Sequence, residues 1–205
     1  IAVEEIDNLG VAFQYLRGLD VVDPGKVGMG GFCVGASLAT VAAQDARIRD
    51  DVRFVNFFGG YFDARDLVKA VVTRSRFYED RVESWDPDSL SVEVVTSHLI
   101  EGVSDAPERA LLTSAFIDDP GRGGVDPDTL SEKANAVYRL LSGPDADEVE
   151  PLIGRLSQET TESLRRISPS TGIHLLKARM LIMHDREDDL VPAEESRRLG
   201  DAPGD

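Results

Sequence analysis

The spacing of apolar and polar positions divides this chain of 205 residues into two outer segments with strand and helix patterns and a middle with helical periods alone. In the first segment, Ile6, Leu9, Val11, Ala12, Tyr15, Leu16 and Leu19 fall on one face of an amphipathic helix spanning Ile1 to Leu19. Asp23-Pro24-Gly25 ends the connection, and an apolar, Gly-punctuated run from Lys26 or Val27 predicts a buried strand. An Ala-rich helix follows, carried by Leu38, Ala39, Val41, Ala42 and Ala43. Arg53 to Phe58 predicts a second strand, ending at Gly59-Gly60. Lys177 to Met183 predicts a third, before a helix that starts near Pro192 with Glu194 and Glu195 in its first turn. Helix and strand in strict alternation point to an α/β fold with a parallel sheet of about three strands.

From about Arg74 to Ser168 the pattern carries no strand signal, which predicts an all-helical insertion at 75–168 between the two parts of the core, 1–74 and 169–205. This stretch contains a repeat with a period of forty. Asp86-Pro87-Asp88-Ser89-Leu90-Ser91 returns as Asp126-Pro127-Asp128-Thr129-Leu130-Ser131, and Asp105-Ala106-Pro107-Glu108 as Asp145-Ala146-Asp147-Glu148. Asp before Pro is a good helix start, so each copy is expected to form a helical hairpin with matching boundaries.

Composition narrows the picture. The formal charge of −16 repels nucleic acid and anionic membranes, so neither is an expected partner. It fits a chain adapted to high salt, a GC-rich genome, or simply a solvated acidic face. The single cysteine, Cys33, rules out an internal disulfide and fits a reducing, cytoplasmic setting. No apolar run reaches the length of a membrane span, and no His/Cys cluster has metal-ligand spacing, so no metal or other cofactor is expected.

The candidate chemistry lies at the first strand-to-helix turn, Gly31-Phe32-Cys33-Val34-Gly35. A small residue two positions before and two after the cysteine is the spacing of a nucleophile elbow, in which the apex side chain stands above the carboxyl edge of the sheet. The following helix dipole is expected to favour the Cys33 thiolate, and the Val34 N–H is a candidate oxyanion donor. The bland reading of a lone cysteine is a small buried hydrophobe. A dinucleotide site needs glycines at relative positions one, three and six; counted from Gly28 the sixth is Cys33, and counted from Gly30 the third is Phe32.

The third strand feeds Met183-His184-Asp185-Arg186-Glu187-Asp188-Asp189-Leu190-Val191-Pro192. A strand ending in His, an Asp four residues later, then Val-Pro and a helix, resembles the acid-bearing loop of the α/β-hydrolase family. The cysteine at the elbow resembles the dienelactone-hydrolase branch. The resemblance covers 1 to about 70 and about 168 to 200. It implies that Cys33 is the nucleophile, that Asp188 orients a catalytic histidine, and that the helical insertion is a lid over an ester or lactone site. Asp63, after the second strand, is a secondary candidate acid.

Two features depart from the family pattern. Asp185 stands where the family has Gly, and no histidine follows Asp188; His98, His174 and His184 all precede it. The expectation is therefore a fragment, with the family's first strands before Ile1 and its histidine after Asp205. This segment alone is then expected to be nearly inactive. The rival expectation is a non-catalytic hydrolase-fold protein that binds a partner. Oligomeric state is not legible.

Overall fold

The computed structural model describes residues 3–118 and 124–202, so the first two residues of the expected N-terminal helix and residues 119–123 of the insertion lie outside the described residues. In chain order the principal elements are α1 (Glu4–Arg17), β1 (Met29–Phe32), α2 (Val34–Ala42), β2 (Phe54–Phe58), α3 (Ala64–Thr73), β3 (Ser75–Tyr78), β4 (Arg81–Ser84), α4 (Ser89–Glu101), α5 (Ala106–Thr113), α6 (Glu132–Leu141), α7 (Val149–Ile153), α8 (Gln158–Arg166), β5 (Arg179–Met183) and α9 (Ala193–Asp201). They form two compact units, one running to Leu67 and resuming at Arg165, the other Val68–Leu164.

The first unit is α/β. Its sheet has the order β1-β2-β5 with both pairings parallel, in the register Gly31↔Phe57↔Ile182 and Phe32↔Phe58↔Met183. Side chains alternate across a strand, so Met29, Val55, Phe57, Met180 and Ile182 share one face. That face is the core. Val55 packs with Phe13 of α1 and Ile48, while Phe57 packs with Ala36 of α2 and Leu199 of α9. The opposite face is open. Phe32 (77% exposed), Phe54 (40%), Leu181 (52%) and Met183 (53%) stand on it, and the Phe32 and Phe58 rings stack at 5.1 Å.

The unit Val68–Leu164 is mostly helical, but it is not all helix. Residues 75–84 form an antiparallel hairpin, β3 on β4, which corrects the expected all-helical insertion. Its strands are four residues long and turn through Glu79-Asp80, with Glu79 at φ 51°, a conformation usually given to Gly. Such short strands with non-Gly turn residues leave little periodic signal. The duplicated helical hairpins also depart from expectation. α4 and α6 end at equivalent positions, Glu101 and Leu141, as do α5 and α7, at Thr113 and Ile153. Their starts do not match. Asp88 caps α4, whereas Asp126-Pro127-Asp128 opens a separate 3-10 turn and Ser131 caps α6. Each second-copy helix begins three residues later than its counterpart, so the expected matching boundaries do not hold. No helix among the described residues is long and apolar enough to cross a membrane.

Candidate active site

Cys33 lies between β1 and α2 with φ 51° and ψ −129°, a backbone conformation L-residues rarely adopt. Two contacts hold it there. Its N–H donates to Phe58 O at 2.9 Å, extending the β1–β2 ladder by one residue, and its C=O accepts from Ala36 N at 3.0 Å as α2 begins. The chain can turn this sharply because β1 runs against the first turn of α2 at Gly31. A Cβ built on Gly31 would lie 2.4 Å from the Gly35 carbonyl. A Cβ on Gly35 meets nothing, so the steric demand for glycine falls on the strand side alone.

Cys33 opens into a cleft of about 750 Å³ at the carboxyl ends of the three strands. Phe32, Phe58, Met183 and Leu190 make its apolar walls, and His184, Asp185 and Asp188 its polar end. The structure thus brings Cys33 and Asp188 to one cleft. Asp188 is held by its own loop, its Oδ1 accepting from Leu190 N at 2.8 Å and Val191 N at 3.0 Å. Gly59, at φ 60°, passes so close that a Cβ there would lie 3.2 Å from Asp188 Oδ2.

The thiol's electrostatics run against the expectation drawn from the helix dipole. Burial pushes the Cys33 thiol up, the Val34 N–H pulls it down, and the Asp188 carboxylate pushes it up again, with a net rise. The half-buried position and the nearby negative charge outweigh the single amide.

His184 lines the same cleft, but its ring is engaged on both sides. Nε2 meets Val191 O at 2.9 Å and Nδ1 meets Ser196 Oγ at 2.5 Å, with Asp188 Oδ2 3.5 Å from Nε2. A carbonyl only accepts, so Nε2 carries the proton and Nδ1 accepts from the serine hydroxyl; this tautomer is assigned from the partners. Held this way, His184 braces the Asp188 loop and offers no nitrogen to Cys33. His98 is on α4 in the other unit, and His174 is exposed on a short 3-10 turn.

Asp63 is occupied elsewhere. Its Oδ1 caps Arg65 N at 2.9 Å, its Oδ2 accepts from Ser170 Oγ at 2.6 Å, and it does not line the cleft. What sequence reasoning missed is the role of Glu195 in the first turn of α9. Glu195, only 1% exposed, accepts from the backbone N–H groups of Phe62 (2.9 Å) and Asp63 (3.0 Å) and pairs with Arg198. A Glu in a helix first turn is ordinary, so only a fully buried position distinguishes it. No group of three or more His, Cys, Asp or Glu among the described residues could hold a metal.

No family model, curated protein or solved structure matches this chain.

Proposed function

We propose that the chain forms the core of an α/β-hydrolase-type enzyme, similar to dienelactone hydrolases, that cleaves a small ester or lactone by nucleophilic acyl transfer. The reading rests chiefly on Cys33, held at φ 51° between a parallel strand and a helix, in one cleft with Asp188. The thiolate attacks the acyl carbonyl, the Val34 N–H stabilises the oxyanion, and the alkoxide leaves as the alcohol after taking a proton. Water then cleaves the thioester, releasing the carboxylic acid and restoring the thiol. The proton transfers require an imidazole between Cys33 and Asp188, which the described residues do not place there; with a raised thiol, the chain is at most a weak catalyst.

The test is p-nitrophenyl acetate turnover with and without added imidazole, which the open cleft can admit. The expected result is slow acetylation of Cys33, detected by mass spectrometry, and turnover that imidazole stimulates at least tenfold after its own hydrolysis of the ester is subtracted. Loss of both in Cys33→Ala, and loss of the imidazole stimulation in denatured chain, completes it. Stimulation equal in native and denatured chain would overturn the reading. The second reading is a hydrolase-fold binding protein without catalysis. It is favoured by the full engagement of the His184 ring, and acetylation confined to denatured chain would support it.

A further inference from the structure

The loop 59–63, between β2 and α3, is fastened on two sides. On one side Ser37 of α2 both accepts from Tyr61 N at 3.0 Å and donates to Tyr61 O at 2.7 Å. On the other side Glu195 of α9 accepts the next two amides, Phe62 and Asp63. α2 is the helix that starts at Cys33. α9 carries Ser196, which holds the His184 ring beside Asp188. The loop therefore ties the helix of the thiol to the helix that braces the aspartate, with Gly59 at its entry pressed against Asp188.

We propose that Glu195 is a positioning residue for the Cys33–Asp188 cleft, its buried carboxylate fixing the 59–63 loop between α2 and α9. The inference rests on reading that cleft as the reaction site. Two amide donors converging on Oε2, with Arg198 against Oε1, set the carboxylate's orientation, and Arg198 in turn reaches Asp66 of α3 at 3.6 Å. The charged groups facing Glu195 are thus Arg198 on its own helix and Asp66 on α3, while Asp63 meets it through its backbone N–H alone.

The clamp is also expected to respond to pH. Burial pushes the Glu195 carboxyl up to about 7, against the pull of Arg198 and the two amides. Opening the loop returns the carboxylate to water, where it ionises near 4.5. A group that binds its proton more tightly in the closed form makes opening easier as pH rises between those two values, with no further change above the upper one.

The experiment is amide hydrogen exchange at Phe62 and Asp63 together with iodoacetamide labelling of Cys33, in wild type, Glu195→Ala and Glu195→Gln. After correction for intrinsic rates, wild-type exchange at both amides is expected to rise about tenfold or more from pH 4.5 to 7. Glu195→Gln keeps an acceptor oxygen without the charge, so the amides stay protected and the pH slope disappears. Glu195→Ala exchanges fast at every pH, and its Cys33 labelling rate shifts at least threefold. Unchanged exchange in Glu195→Ala, or faster exchange with Cys33 labelling unmoved, overturns the positioning role. Should the alanine variant unfold, Glu195→Asp, whose shorter carboxylate cannot reach both amides, takes its place, and unchanged exchange at Phe62 and Asp63 there overturns the role instead. None of these readouts needs turnover, so absence of imidazole-stimulated esterase activity in the same samples counts against the hydrolase reading alone.

Discussion

Gly31 and Gly35 approach so closely that a side chain on Gly31 would overlap the Gly35 carbonyl, 2.4 Å from its carbon and oxygen. The obstacle is backbone, which no rotamer change relieves. Gly31→Ala is therefore expected to destabilise the chain by about 2–4 kcal/mol, as overpacking and strain do at fixed backbone contacts. Gly35→Ala, in open space on a helix, should be neutral or stabilising by up to about 1 kcal/mol. Urea denaturation of the two variants checks both. Equal effects would mean that strand and helix are not pressed together as described.

The backbone at Cys33 makes a separate prediction. A non-Gly residue at φ 51° and ψ −129° carries strain of about 1–3 kcal/mol, part of which glycine relieves. Cys33→Gly should raise stability by about 1 kcal/mol, whereas Cys33→Ser should change it little. Thermal unfolding of the two variants, compared with wild type, measures the difference. A Cys33→Gly variant less stable than wild type would show that the thiol's packing outweighs the strain.

The pH dependence of Cys33 labelling follows from its neighbours. Burial and the Asp188 carboxylate raise the thiol, so iodoacetamide should label it with a midpoint above that of an ordinary thiol. Asp188→Asn removes the negative charge and should lower the midpoint, because the thiolate no longer faces a like charge. Mass-spectrometric labelling rates at a series of pH values decide this. A midpoint that rises in Asp188→Asn would contradict the shared cleft.

Ser196→Ala tests the brace behind Asp188. It strips the His184 Nδ1 of its buried partner, at a cost of about 1–3 kcal/mol. Exchange at the Leu190 and Val191 amides, which Asp188 holds, should quicken with it. Protection unchanged at those two amides would show that the serine anchors the ring without reaching the loop.

The parts of this fold legible in the sequence are those where one side chain's character fixes a local geometry. Phe54–Phe58 and Arg179–Met183 read as strands because short apolar runs bounded by glycine or polar turns suit little else. The strand-to-helix turn at Cys33 read from its small neighbours, although only Gly31 proves to be sterically required. The hairpin at 75–84 was illegible because Arg76, Glu79, Arg81 and Glu83 hide a two-residue turn. The sign of the thiol's shift could not be read either, since it depends on burial and on a carboxylate 155 residues away in the chain. Glu195 escaped for a similar reason: its two amide partners are more than 130 positions distant.

The bare face of the sheet bears on how the chain behaves in a crowded solution. Parallel sheets are ordinarily covered on both faces, and here Phe32, Phe54, Leu181 and Met183 form an adhesive patch on a body of charge −16. At low ionic strength, like charge keeps copies apart over a screening distance of about 30 Å at 0.01 M. Near 1 M that distance shrinks to about 3 Å, and the patch is left without its electrostatic guard. Salt is then expected to drive copies together where it would loosen an association built on ion pairs, an increase in particle mass that light scattering reads directly. Colloidal behaviour is thus expected to follow the contest between this uncovered face and the net charge.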